Sequence, residues 1–190
     1  MKTVNKNELK KQELKKQNYK WTIKITLLAF LISFCFSFLS ESFIPMVGLI
    51  SGIIILIVVI LIGILFDMVG VAVTSSDEKP FHSMSARKVK GANVAVMFKK
   101  NADKVSSFCN DVIGDICGII SGSAGVIISS YLANALGINI FIITLIVTAL
   151  IASLTIGGKA LGKSFAINKS NFILYEFAKI ISNFYKPKNK

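Results

Sequence analysis

The sequence predicts an all-α membrane protein: four transmembrane helices, two short cytoplasmic helices between spans 2 and 3, and a C-terminal juxtamembrane amphipathic helix. Three observations carry that expectation. The chain is 53% hydrophobic and only 17% charged, against roughly 45–50% and 25% in soluble domains. Its charge is segregated, with no charged residue from Ile116 to Gly158, from Ser42 to Phe66, or from Ile25 to Ser40. As one helix the first of these runs would extend about 64 Å at 1.5 Å per residue, about twice the hydrocarbon thickness, so it must fold back as two spans. Finally, all 22 Lys and Arg fall in three segments: the N-terminal 24 residues, Lys79–Lys104, and Lys159 to the end.

Basic segments stay in the cytoplasm. The connections Glu41–Pro45 and Asn134–Asn139 carry no Lys or Arg, so they are expected outside, with both termini inside. The net charge of +12 is read as juxtamembrane lysines facing anionic lipid. The lipid bilayer is therefore the expected partner, and nucleic acid is not.

In chain order, residues 1–20 are a basic cytoplasmic tail with ELKKQ twice in tandem. The tail has no apolar stripe, so a solvated, partly helical or disordered segment is expected. Span 1 covers about residues 21–40, with Tyr19 and Trp21 placed as interfacial aromatics. Glu41–Pro45 reads as a tight turn, and Pro45 suits the first turn of span 2, about residues 43–66. Asp67 lies at the inner end of that span, either reaching the water interface or serving as one ligand of an ion site. The segment 76–107 is too polar to span, and Pro80 and Gly91 divide it into short helices.

Span 3, about residues 107–132, is the unusual one. It carries Asn110, Asp111 and Asp115 inside an apolar pattern, and membrane helices rarely hold acids unless a partner, water or an ion faces them. Asp111 and Asp115 are one α-helical turn apart and so share a face. They are expected either to bridge Lys159, Lys163 or Lys104, or to hold a cation. Gly114, Gly118 and Gly122 recur every four residues, a small-residue ridge that lets another helix approach. Span 4, about residues 140–156, runs into Gly157, Gly158 and Gly162, which weaken helix continuity. Ile173, Phe177, Ile180 and Phe184 then form one stripe of an amphipathic helix expected to lie in the interface. Residues 186–190 are a polar tail.

No catalytic constellation is present: the chain has no GxSxG, phosphate loop, HExxH or paired CxxC. The single histidine, His82, lies in the basic segment and reads as a surface or capping residue. Cys35, Cys109 and Cys117 are an odd set that implies packing rather than a disulfide framework. An enzyme is not expected.

The stretches FDMVGVAVTSS, SARKVKGANVAVMFKKNADKV, FCNDVIGD, GKALGKSFA and the helix 172–185 resemble, in order and spacing, the transmembrane domain of the CNNM/CorC (CorB-like) magnesium and cobalt transport proteins. The resemblance covers about residues 63–185 and adds an N-terminal helix to three family spans, making residues 21–185 one domain. Asp67 stands at the family's polar Ser position and Gly70 at its metal-site Glu position. Asn110 matches its first motif Asn, with Asp111 at the second. Lys159 and Gly162 replace the Glu and Pro of its last motif, and Lys163 keeps the following Lys. The family's cytoplasmic CBS pair has no counterpart.

The resemblance implies divalent cation transport or binding, Mg²⁺ first and Co²⁺ second, by a homodimer in a bacterial inner membrane. Mg²⁺ keeps several waters and uses one or two carboxylates. Asp67, Asn110, Asp111 and Asp115 would supply such a set together with Ser121, and Lys159 and Lys163 would be counter-charges. Two rival expectations stay open: a non-transporting membrane interaction module, and a proton- or sodium-coupled carrier of another solute.

Overall fold

The structure is a computed structural model that describes the backbone of residues 6–184 and the side chains of residues 22–184 apart from positions 40, 41, 44, 45 and 47. Among these residues there are helices and no strands. The helical run Lys6–Ser75 is broken at Gly48 into α1 (residues 6–47) and α2 (Gly48–Ser75). Then follow α3 (Glu78–Ala86), α4 (Ala92–Lys100), α5 (Ala102–Leu136), α6 (Ile140–Asn168) and α7 (Ser170–Phe184). Within α5, Phe108–Gly114 form a π-helical turn. Four stretches are long and apolar enough to cross a membrane: Thr22–Leu39, Gly48–Ser75, Ala102–Leu136 and Ile140–Asn168. The chain is a multi-pass membrane protein by that measure.

The spans pack around α2 and α5. Leu56 and Ile60 of α2, Ala124 and Ile128 of α5, and Ile151 of α6 form one buried cluster. Further toward the start of α5, Ile25, Ala29 and Ile32 of α1 and Val59 of α2 pack against Val112, Ile116 and Ile120. The far face of α1 leaves Leu27, Phe30, Leu31, Phe34 and Phe38 exposed. An apolar surface of that extent is unfavourable in water and compatible with lipid.

A cap of short helices closes one end. Phe81, Val94 and Leu174 are almost fully buried there with Val73 from the end of α2. Polar bonds fix the cap in place. Lys99 donates through Nζ to the carbonyls of Val73 (3.1 Å) and Thr74 (2.9 Å), putting a cation on the negative end of α2. Asn171 Oδ1 accepts from the Asp77 amide at 2.8 Å, and the Tyr175 hydroxyl donates to Lys90 O at 3.3 Å. At Gly91 the φ of 86° and the backbone of Lys179 both exclude a side chain, so α7 can lie close on the start of α4.

Several boundaries differ from the sequence reading. The helix continues through residues 41–45 and breaks at Gly48, where φ is 75° and ψ 174°. That region of backbone space is open essentially to glycine alone, so glycine outweighs Pro45 as the turn signal, and the second span starts near residue 48 rather than 43. Span 3 is longer than expected, as Ala102–Leu136. The helix that carries span 4, α6, continues past Gly157 and Gly158 to Asn168. A Cβ at Gly158 or Gly162 would strike Ile64 or Met68 of α2, so these glycines seat a neighbouring helix instead of ending their own.

The expected glycine ridge is also redistributed. A Cβ at Gly114 would lie 3.6 Å from Lys159 Nζ, but Gly118 and Gly122 face open space. Gly63, packed on Cys117, and Gly125, packed on Ile151, make the close contacts to α5's neighbours. In α7, Ile173 and Phe177 pack on the cap core while Ile180 and Phe184 are exposed. Leu174 and Ala178, off the expected stripe, are its fully buried residues, because the helix docks on α4 and α2 rather than lying free. The expectations for Tyr19 and Trp21 fall on side chains outside those described, and residues 186–190 lie outside the described residues.

Candidate functional site

Asp67, Lys159 and Asn110 gather where α2, the π turn of α5 and α6 meet. Asp67 is on α2 and Lys159 on α6. Lys159 Nζ lies 3.9 Å from Asp67 Oδ1, with side-chain exposures of 28% and 18%. That distance is too long for a hydrogen bond. The pair joins two spans, whereas His82–Glu78 and Lys179–Glu176 each lie within one helix. The glycine at 114 leaves room beside the ammonium group.

One turn from Asp67 on α2, Gly70 is buried against Asn110 of the π turn. Any Cβ at residue 70 would occupy the space of the Asn110 amide. The amide nitrogen donates to Ser106 Oγ at 3.4 Å, but its buried oxygen Oδ1 has no hydrogen-bond partner. Turning the amide over would only exchange which end is orphaned, because one end donates and the other accepts. A buried polar atom without a partner costs free energy unless something else meets it.

Asp111 points elsewhere. A π turn adds one residue to the turn, so neighbouring side chains leave the faces that α-helical spacing assigns them. Asp111 is exposed and lines a groove of about 400 Å³ between α1 and α5, with Thr22, Thr26 and Ser107 among its walls. Asp115 is exposed too. Ser121 is buried and its hydroxyl donates to Cys117 O at 2.7 Å. Lys163 is exposed, one turn beyond Lys159.

The structure thus brings Asp67, Lys159, Gly114 and Asn110 into one neighbourhood. It sends Asp111 to the α1 groove and occupies the Ser121 hydroxyl within its own helix. Among the described residues, no three His, Cys, Asp or Glu side chains form a metal-holding group. Cys35 is exposed, Cys109 and Cys117 are buried, and all three are free thiols. The sequence reading did not single out Ser106 or the Thr22–Thr26 wall. Ser106 sits four residues before Asn110, a spacing that the polar Ser-Ser pair at 106–107 could have flagged.

Comparison of the chain with protein-family models, with curated proteins and with solved structures finds no match.

Proposed function

We propose that the chain is a membrane protein that binds and passes a divalent cation, magnesium first and cobalt second, at the junction of α2, α5 and α6. The observation that carries this reading is the buried, unpartnered Asn110 Oδ1 beside Gly70, one turn from Asp67. An amide oxygen and a carboxylate are hard oxygen ligands, and Mg²⁺ completes its shell with water around just such a small set. Lys159 would stand in the cation's place and yield it when the ion arrives. Asp111 in the α1 groove would act as an outer carboxylate, while Asp115 and Ser121 drop out of the ligand set. The resemblance to the CNNM/CorC transport proteins supports the same reading; the segregation of Lys and Arg favours cytoplasmic termini, and the Lys-, Ile- and Asn-rich composition favours a bacterial inner membrane. A homodimer belongs to the proposal by that resemblance.

The test is a thermal-shift titration of the purified chain with Mg²⁺, Mn²⁺ and Co²⁺, followed by flux in proteoliposomes. The parent should melt higher with added metal. Asp67→Asn should lose that shift, and Lys159→Gln should reach it at lower metal concentration because the competing cation is gone. A flat titration for the parent, with no flux, would overturn the proposal.

One observation favours a second reading. Asp67–Lys159 is a cross-span ion pair, and such a pair can be a fixed clasp in a non-transporting module. Under that reading Asp67→Asn and Lys159→Gln each lower the melting temperature, the double variant recovers part of the loss, and metal changes none of them.

A further inference from the structure

We infer that the cap end of the bundle holds the acyl chain of an anionic phospholipid, in a groove separate from the Asp67 site. The groove has a volume of about 320 Å³, within the roughly 300–1,000 Å³ of ligand-binding clefts. Four phenyl rings wall it: Phe66 from α2, Phe98 from α4, Phe108 from α5 and Phe177 from α7. Phe177 is the centre of the group, with its ring 6.1 Å from Phe66 and 5.8 Å from Phe98, centroid to centroid. Val105 also lines it, and the one charged lining residue is Lys104.

The occupant follows from charge and position. Its walls join the second span at Phe66, the first turns of the third at Lys104–Phe108, and the cap helices at Phe98 and Phe177. A chain there meets acyl tails on one side and headgroups on the other. The same end carries the basic segment Lys79–Lys104, whereas the connections at the opposite end contain no Lys or Arg. Juxtamembrane basic residues attract anionic headgroups, and basic pockets at helix ends select them. Lys104 can lay its methylenes along the apolar wall and keep its ammonium at the headgroup level. An aliphatic tail fits phenyl walls and has no polar atom to leave unsatisfied. Because Phe177 belongs to α7, a bound tail would also brace α7 against α4 and α2. This inference needs only that the chain is membrane-embedded; it does not depend on cation transport.

The experiment is native mass spectrometry of the full chain, delipidated in mild detergent. Phosphatidylglycerol or phosphatidylcholine with identical acyl chains is then added. The parent should retain one phosphatidylglycerol per chain, about fivefold more strongly than phosphatidylcholine, as one basic side chain near the headgroup implies. Val105→Trp, which fills the groove, should lose both lipids. Lys104→Gln, a surface change, should keep phosphatidylcholine as before and lose the preference. Equal retention of the two lipids by the parent would overturn the inference. So would lipid retained by a Val105→Trp variant that melts like the parent. Should Val105→Trp fail to fold, the Lys104→Gln comparison decides alone: an unchanged preference overturns the inference.

Discussion

Asn110 fills the space that a side chain at Gly70 would take. The two residues lie on different spans and share one space. A methyl group at residue 70 must push the Asn110 amide out of its seat.

Gly70→Ala should therefore destabilise the bundle by about 1–3 kcal/mol, the usual cost of overpacking. In an Asn110→Ala background the same change should cost at least about 1 kcal/mol less, since contacting residues couple by that order. Melting of the four proteins of this cycle, in one detergent, measures the coupling. Additive effects would mean that the two side positions do not share space.

The break between α1 and α2 gives a sharper contrast. Gly48 has φ 75° and ψ 174°, and nothing stands within 4 Å of a Cβ there. The penalty for a side chain is thus backbone strain alone, about 1–3 kcal/mol in that glycine-only region. Gly137, which ends α5 at φ 66° and ψ 24°, is ordinary left-handed backbone that Asn tolerates. Gly48→Asn should lower the melting temperature clearly, and Gly137→Asn should leave it nearly unchanged. Equal effects at the two sites would contradict the break at residue 48.

Thiol labelling checks the packing around α5 without altering it. Cys35 is exposed on α1, while Cys109 and Cys117 are buried. A membrane-permeant maleimide should modify one thiol per folded chain in detergent and three after denaturation. A Cys35→Ser variant should stay unmodified until it unfolds. Rapid labelling of Cys117 in the folded protein would mean that Gly63 does not cover it.

How far the sequence was readable follows from which physical signal each feature leaves. The spans are legible because lipid admits few charges, so Ile116–Gly158 announces itself by composition. The cap helices α3 and α4 are legible by the same contrast. The chain turn was not, since Pro45 is the more familiar signal and a glycine at 48 in an apolar run carries no sign of its φ. The site was half legible. Asp67 and Lys159 stand out as charges beside apolar helices, and Asn110 as an amide within one. Their partners depend on the π turn, and a shift of helical register leaves no trace in residue spacing. Asp111 and Asp115 share a face by α-helical spacing, and both are exposed, whereas Asn110 turns its amide oxygen inward.

The buried face of α7 departs from its apparent stripe. Leu174 is fully buried against Val73, Phe81 and Val94, whereas Ile180 is 56% exposed. Truncating a buried leucine removes its transfer free energy and leaves a cavity, for a cost of about 2–5 kcal/mol. Truncating an exposed isoleucine leaves no cavity, and surface changes stay within about 0.5 kcal/mol. Leu174→Ala should thus lower the melting temperature in detergent far more than Ile180→Ala. It should also speed hydrogen exchange in α4 and at the end of α2, because Leu174 packs in one cluster with Val94 and Val73. Were α7 a free interfacial helix with Ile173, Phe177, Ile180 and Phe184 as its lipid-facing stripe, the order would reverse. Ile180→Ala would then release the helix from vesicles, and Leu174→Ala would leave the cap intact.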